Sequence, residues 1–368
     1  MATTRNLLFL RTLPTSLTEL HSAITQAILL SSSSITSIKY LDIAVTLSIQ
    51  SSPSGISRRH SFYEVSAIVN KIYTLTEGIN DKIHINVILL HEDYNACGGV
   101  IQHWTDFRRS SELGRWGSIF SVDDEGDELF GPNCKNAMPL QLEPDSVHEI
   151  WWKNRAGDKE LPLREEHTIS CVGGTFDYLH AGHKLLLTMT AYMINSHATA
   201  PKIIIGLTGS ELLKNKKHKE FVTSWETRCE ATIGFLRGII GDSGPAKNSS
   251  EDTAMEMESD LPTSSRIKRF KLSSPVKETA ITVEMHEIQD AFGPTITMEE
   301  VSCLVVSEET KGGGQMINDK RKEQGWSDLE VFTVGLVGGD GSVATKLSST
   351  EMRRRRAERN DILKGFVS

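Results

Sequence analysis

Thr168-Ile169-Ser170-Cys171-Val172-Gly173-Gly174-Thr175-Phe176-Asp177-Tyr178-Leu179-His180-Ala181-Gly182-His183 is the stretch on which the reading of this chain turns. Thr168–Val172 is a short apolar and β-branched run, as a buried strand requires. Lys184–Asn195, after the histidines, is helix-like. The segment between is therefore a strand-to-helix turn. Its glycines let the backbone turn tightly and approach a ligand without a Cβ in the way. A helix start offers unpaired N–H groups and the positive end of the peptide dipole, which together favour an anion. His180 and His183 are three residues apart and share a face on the first helical turn, beside that anion position. Two imidazoles there can donate hydrogen bonds to phosphate oxygens and stabilise charge that builds up during phosphoryl-type transfer. A lone histidine is ordinarily a satisfied core residue; a pair in a Gly-rich turn points to chemistry.

Outward from this turn, apolar runs recur at Lys202–Leu207, Ile281–Ile288, Ser302–Val306 and Leu329–Leu336, with helix-like stretches between most of them. Near-continuous apolar strands alternating with helices predict a parallel sheet covered on both faces. Right-handed crossovers make it doubly wound and Rossmann-like, with ligands beyond the carboxyl ends of the strands. Gly241–Thr279 interrupts the pattern. It is rich in Ser, Pro, Asp, Glu and Lys and reads as a disordered insertion over about 241–279. Its basic segment Arg266–Lys271 reads either as a nuclear or docking signal or, more commonly for such runs, as a solvated charge run.

The first 150 residues read as a separate α/β domain of uncertain topology. Leu7–Leu10, Ser37–Leu47 and Ile83–Leu90 are strand-like; Ser16–Leu30 and Ser61–Thr76 have helical spacing. Residues 91–150 are irregular, and the acids Asp123, Asp124, Glu125, Asp127 and Glu128 read as a solvated loop rather than a metal site. The organisation expected is an N-terminal domain over 1–150, a charged linker over 151–166 and a second domain over 167–368. No internal repeat is evident.

Composition narrows the class. With 368 residues, 38% hydrophobic and 24% charged, the chain suits a soluble protein of about two domains. The formal net charge of -8 does not suggest a general nucleic-acid binder. Five cysteines, widely spaced and without a CxxC pair, argue against a disulfide scaffold or structural zinc and favour a reducing, cytoplasmic compartment. No apolar run approaches the ~20 residues that span a bilayer. The Ser/Thr-rich start, with Arg5 and Arg11 and no acid before Glu19, has features of a transit peptide, but Asn6–Leu10 reads better as a first buried strand.

The stretch Gly173–His183 resembles the GGTFDxLHxGH signature of the HxGH nucleotidyltransferase superfamily. A second element, Lys346-Leu347-Ser348-Ser349-Thr350-Glu351-Met352-Arg353, resembles the superfamily's KxSSTxxR grip on the outer phosphates. Read locally, Ser348 with Glu351 forms a capping box that starts a helix. Val306–Gly313 with Asn318 and Arg321, and Asp290–Thr295 upstream, look like the eukaryotic type of phosphopantetheine adenylyltransferase. The resemblance covers about 168–357 and implies transfer of AMP from ATP to 4'-phosphopantetheine, giving dephospho-coenzyme A and pyrophosphate. It implies catalytic roles for His183, His180 and Lys216. Gly174, Thr175, Phe176, His180, His183, Ser307, Glu308, Gly312, Arg321, Ser348, Ser349, Thr350 and Arg353 would border ATP. Lys214 or Lys216 would meet the attacking phosphate, and Asn318 has a turn role as an equal reading. Mg²⁺ is expected on the ATP phosphates, with no protein metal site. A P-loop, GxxxxGK[ST], is not found, so a separate dephospho-coenzyme A kinase is implied, leaving association with other enzymes of that pathway open. The competing readings are a cytidylyltransferase acting on a phosphorylated small alcohol and a catalytically silent nucleotide-binding scaffold.

Overall fold

The computed structural model describes residues 3–14, 16–32, 38–49, 57–79, 82–112, 115–122, 137–140, 142, 166–194, 198–241, 266–273, 280–338 and 349–365. The first half contains β1 (Thr3–Leu10), α1 (Leu17–Ser31), β2 (Ile38–Thr46), α2 (Arg58–Thr76), β3 (Ile83–His91), β4 (Ile101–His103), α3 (Trp104–Glu112), β5 (Ile119–Ser121) and β6 (Ala137–Pro139). Its strands form one six-stranded sheet in the order β4-β3-β2-β1-β5-β6, every pair parallel. The second half contains β7 (Ile169–Gly174), α4 (Ala181–Tyr192), β8 (Lys202–Thr208), α5 (Ser210–Leu213), α6 (Trp225–Ile240), β9 (Ile267–Ser273), β10 (Ala280–Ile288), β11 (Cys303–Ser307), α7 (Lys311–Glu323), β12 (Glu330–Val334) and α8 (Ser349–Gly365). Its sheet runs β12-β11-β7-β8-β10-β9, parallel except for β9 against β10.

The second sheet has the alternating, doubly wound arrangement expected. The first sheet has the same one. From each opening strand, three strands lie to one side and the last two to the other: β4-β3-β2-β1-β5-β6 and β9-β10-β8-β7-β11-β12. The repeat absent from the sequence is present in the topology.

Local chemistry sets several element ends. Ser16 caps α1, its hydroxyl accepting from the N–H groups of Thr18 and Glu19. Ser224 caps α6 through the N–H of Thr227. Gly241 ends α6 in the left-handed region at φ 84°, with its N–H on the Arg237 carbonyl. A Cβ there would lie 2.6 Å from the Gln102 side chain as well as being strained, so glycine is required twice over.

The two halves share one core. A single buried cluster runs from Phe62 and Val69 of α2 through Leu185, Met189 and Tyr192 of α4 to Leu236 and Ile239 of α6 and Phe332 of β12. The outer face of the first sheet packs separately, through Phe9, Ile88, Phe107 and Trp116. The outer face of the second does so through Ile169, Ile204, Leu304 and Ile317. Helices α2, α4 and α6 thus lie between two sheets. Every residue of α4 from Lys184 to Tyr192 is buried, the signature of a helix enclosed on all sides.

Polar contacts cross the same layer. The Tyr192 and Ser61 hydroxyls are 2.6 Å apart, Gln102 donates to the Ile239 carbonyl at 2.7 Å, and Arg59 grips Glu330 with two hydrogen bonds. The Lys184 ammonium donates to the Ile85 carbonyl at 2.6 Å and to Asn86 Oδ1 at 3.2 Å. Asn86 in turn donates to Asp42, a buried acid that also accepts from Arg5 and Trp116.

Burial pushes the Lys184 amine down to about 8, the charge of Arg5 adding to the effect and that of Asp42 opposing it. A lysine with a depressed folded-state pKa binds fewer protons than the unfolded chain, where it titrates near 10.4. Stability from this group therefore rises with pH between those values. The unfolding free energy of wild type minus that of Lys184→Met is expected to grow by about 1–2 kcal/mol from pH 8 to 9.5. Denaturant titrations at the two pH values measure it; a flat difference rejects the assignment.

Three expectations change. Ile267–Ser273, placed in the disordered insertion, is an edge strand with ionic partners on β10: Arg266 forks onto Glu287 and Arg269 pairs with Glu284. Arg266 also pairs with Glu226 and, like Lys268, lies over the Trp225 ring. The basic run thus lies on a sheet edge, with both of its arginines paired to acids. Within 91–150, read as irregular, β4, α3 and β5 are regular elements. The linker positions 151–165 and the acid cluster 123–128 lie outside the described residues.

Candidate active site

In the second sheet the strand order reverses between β7 and β11, and a doubly wound fold opens its crevice at the carboxyl ends of such strands. β7 ends at Gly174 and leads into the turn before α4; β11 ends at Ser307 and leads into α7. The two most suggestive stretches of sequence therefore meet at one place.

The turn after β7 is strained. Phe176 and Tyr178 both have positive φ, 50° and 48°. Non-glycine residues in that region cost of order 1–3 kcal/mol each and need surrounding structure to hold them. Phe176 is fully buried, and its ring would meet a Cβ on Gly174 at 2.9 Å. Tyr178 is held by its hydroxyl, which donates to the Phe221 carbonyl at 2.8 Å, and by the Arg356 guanidinium over its ring. Asp177, fully buried, clamps three segments. One carboxylate oxygen accepts from the N–H and hydroxyl of Thr223, the other from Arg353 at 3.2 Å, and its carbonyl accepts from the Ser349 hydroxyl.

Removing one partner of a buried ion pair strands the other, at about 3–5 kcal/mol. Asp177→Ala is expected to lower stability on that scale, and Asp177→Asn by less. Urea unfolding midpoints decide this, and a shift within error for the alanine variant would show the clamp to be dispensable.

On this turn stand the two histidines. His180 occupies the N-cap of α4 with extended backbone and His183 follows one turn on. Their rings stack with centroids 3.9 Å apart, and Phe176 packs against His183 at 5.2 Å. Gly182 makes room: a Cβ there would sit 3.3 Å from the His180 ring. Burial lowers the His183 pKa well below the usual histidine range, and the charges of His180, Lys216 and Arg353 lower it further. His183 is therefore a neutral imidazole near pH 7. Its Nδ1 is buried and takes no hydrogen bond among the described residues.

Lys216 is the lysine of its stretch whose charge reaches His183. Its own pKa is lowered, first by burial and then by Arg353 and Arg228. Lys214 points elsewhere, exposed and paired with Glu211 at 2.6 Å. Thr175 is buried, its carbonyl held by Arg228, which also braces the carbonyls of Thr208 and Thr223.

At the β11 end, the Thr310 hydroxyl accepts from the Ser307 N–H and lies 3.1 Å from its hydroxyl; Glu308 pairs with Lys311. Gly312 has open space where a Cβ would be, at the start of α7.

Two expected ATP contacts have other work. Arg321 is 1% exposed and donates to the carbonyls of Thr295, Met298, Glu299, Val301 and Ser327. Those five carbonyls occupy the whole guanidinium, so Arg321 fastens the 295–301 loop to α7 and does not face the crevice chemistry. Arg353 donates to Asp177, to the Lys217 carbonyl and to the Thr350 hydroxyl, and so docks α8 onto the turn. Ser349 and Thr350 belong to that docking as well; Ser348 lies outside the described residues. Asn318 fills the turn role, exchanging hydrogen bonds with the backbone of Leu329.

The residues missed in the sequence are Asp177 as a clamp and Arg228 as a brace. Asp177 sat inside the quoted turn but as an unassigned letter. Among the described residues the free thiols Cys97, Cys171, Cys229 and Cys303 are buried, and burial pushes Cys171 and Cys229 up to about 12.

A cytidylyltransferase-like family model matches residues 171–238, from within β7 through most of α6. A phosphopantetheine adenylyltransferase of Saccharomyces cerevisiae is 32% identical over 294 residues, 79% of this chain and 78% of that one. The chain belongs to the phosphopantetheine adenylyltransferase family. An uncharacterized protein of Schizosaccharomyces pombe is 26% identical over 315 residues, 82% of either chain. A phosphopantetheine adenylyltransferase of Pyrococcus abyssi is 27% identical over 182 residues, which is 50% of this chain but 86% of the archaeal one. This family member thus carries a large additional region alongside the part it shares with the archaeal relative. Among the described residues, no helix is long and apolar enough to cross a membrane.

Proposed function

We propose that the chain transfers AMP from ATP to 4'-phosphopantetheine, releasing pyrophosphate and forming dephospho-coenzyme A. The observation that carries this is the stacked His180–His183 pair on the first turn of α4, at the strand-order reversal and with His183 within reach of the Lys216 charge.

An oxygen of the 4'-phosphate attacks the α-phosphorus, the bond from that phosphorus to the bridging oxygen of the β-phosphate breaks, and pyrophosphate leaves. A phosphate monoester dianion is already a nucleophile, so no enzyme nucleophile is needed. The protein supplies position and charge stabilisation. His183, as a neutral imidazole, donates a hydrogen bond from its protonated ring nitrogen toward the α-phosphoryl oxygens. Lys216 adds positive charge beside the incoming phosphate. The open amides at the starts of α4 and α7 favour the phosphates.

Mg²⁺ would arrive on the triphosphate. Among the described residues no three His, Cys, Asp or Glu side chains cluster to cage it, and Asp177 has committed both its oxygens. In this scheme the ion is carried by the phosphates of the nucleotide.

Incubation with ATP, Mg²⁺ and 4'-phosphopantetheine, followed by mass spectrometry, tests the reading. Equal amounts of pyrophosphate and dephospho-coenzyme A are expected. Product from CTP but not ATP would replace the reading with cytidylyl transfer, and tight ATP binding without turnover would replace it with a silent scaffold.

A further inference from the structure

Lys216 stands on the connection between α5 and α6, where the chain has little regular structure of its own: a 3₁₀ turn at Lys219–Phe221 follows it. His218, between the two, has a positive φ of 54°. A side chain in that region costs free energy and is kept there by what surrounds it. The holding groups come from outside the connection. Arg353 Nε donates to the Lys217 carbonyl at 3.1 Å, and the Tyr178 hydroxyl donates to the Phe221 carbonyl at 2.8 Å. The Thr223 carbonyl accepts from Arg228, while its N–H and hydroxyl donate to Asp177. The backbone after Lys216 is thus pinned from the turn after β7, from α6 and from α8.

Arg353 is committed to this brace. It is 2% exposed, and each nitrogen of its guanidinium has a partner: the Lys217 carbonyl, the Asp177 carboxylate at 3.2 Å and the Thr350 hydroxyl at 3.1 Å. Turning it toward a phosphate would break the buried pair with Asp177. Tyr178 is secured from the same helix, its hydroxyl accepting from Arg356 at 3.0 Å. The charges around Lys216 show why a brace is needed. Arg353 and Arg228 act on it as like charges, against the opposite charge of Asp177. Repulsion of that kind does not draw an ammonium into place, so its backbone has to carry it there.

We propose that Arg353 and Tyr178 are positioning residues: by holding the carbonyls of Lys217 and Phe221 they set Lys216 beside the incoming phosphate, and Arg353 does not itself grip the nucleotide. This rests on the part given to Lys216 in the proposed transfer.

The test compares the full chain with Arg353→Lys, which keeps a charge toward Asp177 but lacks the guanidinium fork, and with Tyr178→Phe, which loses one hydroxyl. Hydrogen exchange of the peptide 214–224, read by mass spectrometry, is expected to quicken about fivefold or more in both, the equivalent of one lost hydrogen bond. In steady-state assays kcat should fall about tenfold in Arg353→Lys and about threefold in Tyr178→Phe, while the Kd for ATP from equilibrium dialysis stays within about twofold. In a Lys216→Ala background the same changes should lower kcat by no more than about twofold further, because nothing remains to be placed. Should Arg353→Lys fail to fold, Tyr178→Phe leaves the Asp177 pair intact and carries the same measurements. ATP bound about tenfold more weakly by Arg353→Lys would make that arginine a phosphate contact and overturn the proposal. Unmoved exchange, or an undiminished loss of kcat in the Lys216→Ala background, would overturn it as well. Wild type that binds ATP but forms no product would instead remove the transfer reading, and exchange with ATP binding would still separate a brace from a phosphate contact.

Discussion

The His183→Ala protein is expected to turn over AMP about 10²–10³-fold more slowly than wild type, the scale set by removing a single preorganised donor to transition-state charge. The imidazole is fixed between Phe176 and His180. It is held neutral by burial and by the positive charge around it. Its buried Nδ1 makes no hydrogen bond that would tie the ring to another task. A group that acts on developing charge lowers kcat when removed and leaves the KM for ATP nearly unchanged. The pH dependence has a definite sign. With its pKa below the ordinary histidine range, His183 stays neutral as pH falls through 6.5 and so adds no acid limb to kcat/KM near that value; the limb set by the second ionisation of the substrate's own phosphate, at about 6, should be the same in the variant. Stopped assays from pH 5.5 to 8 measure both quantities. Turnover of the variant within a factor of three of wild type, or an acid limb at 6.5 that disappears in it, would remove His183 from its role.

The second large effect concerns the whole first half. A chain beginning at Leu161 is expected to be insoluble or molten, with no measurable AMP transfer. Its second sheet would keep all of its strands, but α4 would lose the cover on one side along a run in which every residue from Lys184 to Tyr192 is buried. The Lys184 ammonium would lose Ile85 and Asn86, Glu330 would lose Arg59, and Tyr192 would lose Ser61. Exposing a face of that size also creates an apolar patch of the kind that drives aggregation. Near-ultraviolet circular dichroism and light scattering of the truncated chain decide the matter. A monodisperse, active fragment would show that the halves merely touch.

The central strands of the second sheet and the turn after β7 were legible because their signals are local. A buried strand, a Gly-rich turn and a helix carrying His180 and His183 lie within thirty consecutive residues at most, and each is written in side-chain type and spacing. The first sheet was half legible. Its three long strands announce themselves, but β4, β5 and β6 have three residues each, too short for a period to emerge. β9 was hidden for another reason: Ile267–Ser273 is basic, and its place as an edge strand depends on Glu284 and Glu287, which arrive only after the chain returns. Arg321 and Arg353 illustrate what motif matching leaves out. Both sit where a phosphate contact was expected, yet their partners are backbone carbonyls and a buried acid from distant segments. Composition cannot distinguish an arginine that waits for a ligand from one that fastens a loop. Hydrophobic periodicity marks which residues are buried, but not that α2, α4 and α6 bury theirs against two sheets at once.

A helix gripped from above and below behaves as a keel rather than a jaw. The histidine-bearing turn is rooted in α4, so it cannot swing outward with one half of the chain while the other stays still. Movement on addition of ATP is expected to be confined to the rim, chiefly the segment from Gly209 to Ser224 and the last helix, which is fastened through Asp177 and Arg353. Spin labels placed on the outer helices α3 and α7 should keep a single, sharp separation through the catalytic cycle, and whatever slow step limits release of product will be found in the rim alone.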